Sequence, residues 1–299
     1  VNLHQLRVFY EVARAQSFSA AAEKLHLTQP AVTWQIKNLE DFYELRFFER
    51  TGKKILLTEE GRILFDFADR ILTLSREAEE ALADLRGLSR GTLRIDSVFT
   101  FGDYYLAMLL QAFHRKYPNI LLQVNTGNTS QIIENTLQHK NDVAFVAYDP
   151  RDDRLRVHEI VSDVLVAVVA PHHPWARKKS IRLKDLGGQP LMLREHGSSP
   201  RRILEAIFNE REIHPRIILE SASTPAIKKM IESGLGVAIL SQQVIKEELR
   251  AKRLTQLTIR DAEIVYRFYL VYHKDKYISR ALQAFMDLAI EFSQKAWSE

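Results

Sequence analysis

The run SFSAAAEKLHLTQPAVTWQIKNLE, residues 17–40, constrains the fold more than any other stretch of the chain. Ser17 stands where a helix cap belongs, and Ala20-Ala21-Ala22 behind it let a neighbouring helix approach closely. Leu25-His26-Leu27 reads as a short turn, and Thr28 as a second cap. Pro30 is tolerated there because the N–H groups of a first helical turn lack helical partners. Val32, Ile36, Leu39 and Tyr43 recur at helical spacing and predict a side that faces a core. A rotation of about 100° per residue puts Pro30, Thr33, Trp34, Lys37 and Asp41 on the outward side. With a first helix carrying Leu3, Leu6, Phe9, Tyr10 and Ala13 on one face, the result is a helix-turn-helix outline.

The next stretch, RFFERTGKKILLT, predicts two strand-like pieces around Thr51-Gly52-Lys53-Lys54, a hairpin or wing with Arg50, Lys53 and Lys54 at its tip. From Thr58 a single long helix is expected, with Glu59 and Glu60 suited to its positive end. Leu64, Phe67, Ile71, Leu74, Ala78, Ala81, Leu85 and Leu88 alternate at spacings of 3 and 4, an a/d seam that predicts a partner helix. Dense acidic residues flank the seam, which favours a dimerisation helix over packing on the chain's own body.

Beyond Gly87 and Gly91 the pattern changes. TLRIDSVF, ILLQVNTG, DVAFVAYD and DVLVAVVAP read as strands, with helical patterns over 103–117 and 129–140. Helix 200–211, strand RIILES, helix 224–233, strand GVAIL and helix 241–250 continue the alternation, and VYRFYLVYH and a helix over 278–297 close it. Alternating strands and helices predict a parallel α/β sheet, and the length suggests two lobes with a cleft and a break near Pro171. The expected organisation is α+β multidomain: 1–58 a winged helix-turn-helix domain, 59–88 a linker and dimerisation helix, and 89–299 an α/β domain whose second lobe covers about 171–268.

Charge limits the partners. The chain of 299 residues carries a net charge of +4, which allows nucleic acid without demanding it. The first 58 residues hold 8 Lys+Arg against 6 Asp+Glu, so phosphate contacts there must come from few, well-placed groups. No run approaches the roughly 18 apolar residues of a membrane span, and Val1-Asn2-Leu3 enters helical patterning with no signal peptide, so no membrane partner is expected. The absence of Cys excludes disulfides and thiolate metal sites and is compatible with a cytoplasmic location.

SFSAAAEKLHLTQPAVTWQIKNLE followed by FFERTGKKILLTEEG resembles the N-terminal signature of the LysR-type transcriptional regulators. GTLRID, GNTSQI, VAPHHPWA, HGSSPRR, TPAIKKMIESGLGVAILS and the closing HKDK are similar, in order, to that family's effector-domain landmarks. The resemblance implies a winged helix-turn-helix, a linker helix that pairs subunits, and a two-lobed domain resembling periplasmic binding proteins. It also implies a transcription regulator, dimeric or tetrameric, whose grip on double-stranded DNA changes when a small-molecule effector enters the cleft.

On this reading the outward face of the third helix enters the major groove. The expected DNA-binding residues are Thr28, Gln29, Pro30, Thr33, Trp34, Gln35 and Lys37, with Arg50, Lys53 and Lys54 on the wing for backbone or minor-groove contact. Trp34 departs from the family, which commonly places a basic residue there. It packs on a thymine methyl, reaches a phosphate through its N–H, or contacts protein. Glu44 stands at a helix end where the family often has Gly.

In the cleft, short polar residues at helix N-termini are the expected effector grips: Thr100, Asn128, Thr129, Ser198, Ser199 and Thr224, with Arg201 beside them. Each of the capping types could instead merely cap its own helix. Pro200 replaces a hydroxyl residue of the family's usual loop, and a small anion is the expected effector class, from the helix N-termini and Arg201. No cofactor, metal or enzyme activity is expected. GLGVAI at 234–239 lacks the third Gly of a dinucleotide fingerprint and precedes a strand, and His172-His173 has no partner at metal-ligand spacing. A solute-binding component using only the α/β half, or an enzyme with an appended DNA domain, are the competing classes.

Overall fold

The computed structural model describes residues 2–51, 54–84 and 91–295. The chain divides into two compact units, Val1–Gly87 and Leu88–Glu299.

In the first unit, α1 (Leu3–Ala15), α2 (Phe18–Leu25) and α3 (Gln29–Tyr43) begin at side-chain caps. Asn2 Oδ1, Ser17 Oγ and Thr28 Oγ1 accept from the backbone N–H groups of Gln5, Ala20 and Ala31 at 2.8, 3.3 and 3.3 Å. Capping of this kind contributes about 1 kcal/mol per helix. All three helices stop on a residue in the left-handed region, Gln16, His26 and Glu44, with φ of 49°, 54° and 55°. The small side chains of Ala21 and Ala22 are buried with Phe9, Val12, Val32, Ile36 and Leu39, so the helices meet closely around one core. Each large apolar side chain sealed there contributes roughly 1.5–3 kcal/mol.

Strands β1 (Phe48–Thr51) and β2 (Lys54–Leu57) pair antiparallel, from Phe48 opposite Leu57 to Thr51 opposite Lys54. The pair is fastened to α3 by Glu40, a buried carboxylate that accepts from the Phe47 N–H at 2.8 Å and from Arg46 Nη1 at 2.7 Å. Helix α4 (Glu59–Asp84) follows a cap by Thr58, whose Oγ1 donates to the Arg46 carbonyl at 2.6 Å and accepts from the Gly61 N–H at 3.0 Å. Its apolar stripe differs from the predicted seam at the start. Leu64 and Phe65 are drawn onto the unit's own core, with Phe65 stacked on Tyr10 at 5.1 Å, because α1 packs across that turn. Ile63, Phe67, Ile71, Leu74 and Leu82 are the exposed apolar residues. Leu85 and Leu88 lie outside the described residues.

The second unit holds a ten-stranded sheet that is mixed rather than parallel. Strands β3 (Gly91–Val98), β4 (Ile120–Gly127) and β5 (Val143–Val146) run parallel in one lobe. Between them come a helical turn α5 (Phe99–Phe101), a π turn (Gly102–Leu106), α6 (Ala107–Lys116) and α7 (Thr129–Leu137). The helix predicted over 103–117 therefore starts earlier and is interrupted by the π turn. Strand β6 (Leu155–Val169) is much longer than the predicted DVLVAVVAP and serves both lobes.

The second lobe contains β7 (Ser180–Ile181), β8 (Pro190–Arg194), α8 (Ser199–Glu210), β9 (Arg216–Ser221), α9 (Thr224–Glu232), β10 (Val237–Ser241), α10 (Lys246–Arg250) and β11 (Thr255–Ile259). Strand β12 (Ile264–His273) then returns antiparallel along β6 to pair with β5, and α11 (Arg280–Lys295) packs Phe285 against Phe113. Because β6 and β12 cross between lobes as an antiparallel pair, the sheet cannot be parallel throughout. The crossing lies near Asp163, before Pro171. There Asp163 accepts from Tyr105 Oη of the first lobe at 2.6 Å and from the Ser241 hydroxyl of the second.

Candidate functional site

Two small adjoining cavities lie where the lobes meet. They share Thr100, Arg194, Pro200 and Tyr266. Asn128, Thr129, Ser198 and Ser199 line the first, and Thr224, Ser241 and Val244 the second. Six of the seven expected grips therefore come together, from four chain segments.

The polar side chains divide between capping and facing the cavities. Asn128 does cap α7, accepting from the Gln131 N–H at 2.9 Å. Ser223, not Thr224, caps α9, accepting from the Ala226 N–H at 3.2 Å. Ser198 occupies the cap position of α8 without making the cap bond. Its buried Oγ has no hydrogen-bond partner among the described residues, an arrangement that costs free energy unless something meets it. Thr129 and Ser199, each the first residue of its helix, meet across the lobes at 3.3 Å between hydroxyl oxygens. The N-termini of α7 and α8 thus face the same space, each equivalent to about half a positive charge.

Arg194 supplies a guanidinium. It ends buried strand β8, and its Nη1 donates to Thr224 Oγ1 at 2.8 Å while its Nε and Nη2 donate to the Glu195 carboxylate at 2.8 and 3.2 Å. Glu195 lines the same cavity, so the guanidinium reaches it as one half of an ion pair. Burial raises the Asp103 carboxyl, an effect that the charge of Arg194 opposes. Burial likewise pushes the Tyr266 phenol far up, opposed by its hydrogen bond with Thr100, so it remains a neutral donor in the wall.

Arg201 is corrected. It is buried but lines neither cavity, because its guanidinium is engaged by Glu205 and by Glu220 at 3.1 Å, with a further bond to the Arg194 carbonyl at 3.3 Å. It props the strand end that presents Arg194. Arg194 and Tyr266 were missed by sequence reasoning. A signal for the first existed: LMLR is an apolar strand ending in Arg, and ligands in α/β folds gather beyond the carboxyl ends of strands. Tyr266 gave none.

In the first unit, Thr28, Gln29, Pro30, Thr33, Trp34 and Lys37 are exposed along α3, while Gln35 is half-buried and lies off that stripe. Gln29 Nε2 donates to Thr33 Oγ1, and Thr33 Oγ1 donates to the Gln29 carbonyl, both at 3.0 Å. Lys53 and the side chains of Arg50 and Lys54 lie outside the described residues.

Residues 3–62 match the bacterial regulatory helix-turn-helix protein, lysR family, and residues 86–294 match the LysR substrate binding domain. The chain belongs to the LysR family of transcriptional regulators. It is 35% identical over 290 residues to the RuBisCO operon transcriptional regulator of Allochromatium vinosum, covering 97% of this chain and 96% of that one. Full-length CbnR in complex with its target DNA shares the fold, with a TM-score of 0.71, 24% identity, and coverage of 98% of this chain and 100% of that one. The regulatory domain of CcmR from Synechocystis, solved in complex with 2-PG, has a TM-score of 0.64 at 29% identity, covering 69% of this chain and 99% of that one. As a LysR-family member the chain is a DNA-binding regulator with a small-molecule effector domain, not an enzyme. No helix among the described residues is long and apolar enough to cross a membrane.

Proposed function

We propose that this LysR-family regulator responds to a small organic anion held in the paired cavities and gripped by Arg194. The observation that carries the reading is convergence. A buried guanidinium, the N-termini of α7 and α8 and an unpartnered buried hydroxyl, Ser198, all meet one space. Together they supply donors and positive potential, set against the Glu195 carboxylate in the same lining. Thr100, Asn128, Thr129, Ser199 and Thr224 would orient the anion, and Tyr266 would donate from the wall. We assign residues 1–58 to reading DNA through Thr28, Gln29, Pro30, Thr33, Trp34, Gln35 and Lys37 with the wing residues Arg50, Lys53 and Lys54. Residues 59–88 pair subunits into a dimer or tetramer through the exposed stripe of α4, and 89–299 sense the effector, in the cytoplasm where the DNA lies.

Since a relative's regulatory domain is complexed with 2-PG, that compound is the first to test. Isothermal titration of the full chain with 2-PG, inorganic phosphate and uncharged analogues of similar size is expected to show heat only with the anions. Equal binding of the uncharged analogues would overturn the anion assignment.

A further inference from the structure

Trp34 is 60% exposed in the middle of α3, the second helix of the helix-turn-helix, and belongs to no buried cluster. The buried side of the helix, Val32, Ile36 and Leu39, already satisfies the core. An indole left on the outside is explained by what the helix meets.

Its neighbours narrow the choice. Pro30 offers no N–H and no polar side chain. The Thr33 hydroxyl commits its proton to the Gln29 carbonyl and receives a bond from the Gln29 amide. The centre of the stripe is therefore apolar, made of the Pro30 ring, the Thr33 methyl and the Trp34 indole. Gln29 at its edge keeps the carbonyl oxygen and one N–H of its side-chain amide for a base. In the major groove, a base pair displays a single apolar group, the C5-methyl of thymine.

We infer that Trp34 reads thymine by packing its indole on the 5-methyl group, so that α3 selects one T·A pair per half-site through apolar contact. This rests on α3 being the helix that reads DNA. The indole N–H is the competing contact, to a phosphate or a base acceptor, and it leaves a different signature.

The test uses the full chain. Bound fragments are first selected from random DNA, and each thymine of the selected site is then replaced by uracil, which removes only the methyl group. Affinity is measured by fluorescence anisotropy. One symmetric pair of replacements is expected to weaken binding by about fourfold per methyl. The Trp34→Ala variant, checked for an unchanged melting transition, is expected to bind thymine and uracil sites alike. Trp34→Phe retains a flat apolar ring without the N–H, and is expected to keep part of the thymine preference. A site insensitive to uracil, or a uracil effect that survives in Trp34→Ala, would overturn the inference. A loss in Trp34→Phe that is equal on both sites would overturn it in favour of the N–H contact. Failure to select any sequence would remove the DNA-reading role of α3 itself, which the uracil series, run on a selected site, does not touch.

Discussion

Arg194 and Thr224 join two elements of the second lobe across its cavity: the end of strand β8 and the start of helix α9 lie within one hydrogen bond, Nη1 to Oγ1, of 2.8 Å. The bond, with the Glu195 pair, leaves the guanidinium fixed in direction at the cavity wall. Preorganisation of this kind removes the ordering cost that an anion would otherwise impose on a flexible arginine.

Replacing Arg194 by Ala is therefore expected to weaken anion binding by roughly tenfold to a hundredfold, the loss of one or more charge-assisted hydrogen bonds. Arg194→Lys keeps the charge and loses the planar fork, so it is expected to fall between. Titration calorimetry with 2-PG checks both. Arg201→Ala should behave differently, lowering the melting temperature of the second unit before it changes affinity per folded molecule, because Arg201 supports the Arg194 carbonyl from outside the cavity.

Much of this site was legible in the residues and part was not. The capping types at 128–129, 198–199 and 224 announce helix starts by their chemistry, and a local pattern suffices to find them. Arg194 and Arg201 look alike in sequence, seven residues apart. Only the tertiary structure decides that Arg201 pairs with Glu205 and Glu220 outside the cavity while Arg194, paired with Glu195, lines it. Only half of strand β6 is legible in the sequence because RVHEI, in its first part, breaks polar/apolar alternation at His158-Glu159 and is partly exposed. The parallel sheet was overextended for the same reason. Nothing local marks a strand that must cross between lobes.

The crossing itself can be probed at Tyr105, in the π turn, whose phenol donates to Asp163 at 2.6 Å. Burial and the adjacent Asp163 carboxylate raise that phenol far above its ordinary range, so it donates throughout the accessible pH range. Tyr105→Phe removes the donor while leaving the ring stacked on Phe101. A destabilisation of about 1–2 kcal/mol is expected in denaturant unfolding of the second unit.

In the first unit, a Cβ on Gly61 would stand 2.1 Å from the Phe47 carbonyl oxygen, a backbone atom that cannot swing aside. Gly61→Ala is expected to cost about 2–3 kcal/mol. Gly91→Ala, where a Cβ meets nothing within 4 Å, serves as the neutral control. Glu44→Gly works in the opposite direction: its φ of 55° suits glycine, and relief of that strain is expected to stabilise the unit by about 0.5–1 kcal/mol. Differential unfolding curves distinguish all three.

Acid is expected to weaken the second unit partly through His273, whose ring lies 4.0 Å from that of His139. Burial, and then the electrostatic influence of His139, hold the His273 imidazole below its ordinary value, with Asp275 opposing and Arg154 and Lys274 acting with burial. The unfolded chain then takes up a proton that the folded chain resists. Stability from this group is complete above the ordinary imidazole value of about 6.5 and is lost as pH falls below it. His173, lowered by burial and by His172, contributes with the same sign. His273→Gln should flatten the fall in melting temperature between about pH 7 and about pH 5 without abolishing it.

The exposed stripe of α4 makes the last prediction. Phe67, Ile71 and Leu74 are 54%, 43% and 66% exposed, at spacings that return them to one face of the helix. A face this apolar is solvated at a cost that a second copy of the helix would remove. The buried residues of the same helix, Leu64 in part and Ala68 fully, already belong to the unit's own core and are not available for pairing. Leu74→Glu places a charge in the stripe without touching that core. The variant is expected to sediment as a monomer with an unchanged helical signal, and to bind an inverted-repeat DNA site far more weakly than the wild-type chain. If it sediments as the wild-type oligomer, the stripe is not the pairing surface.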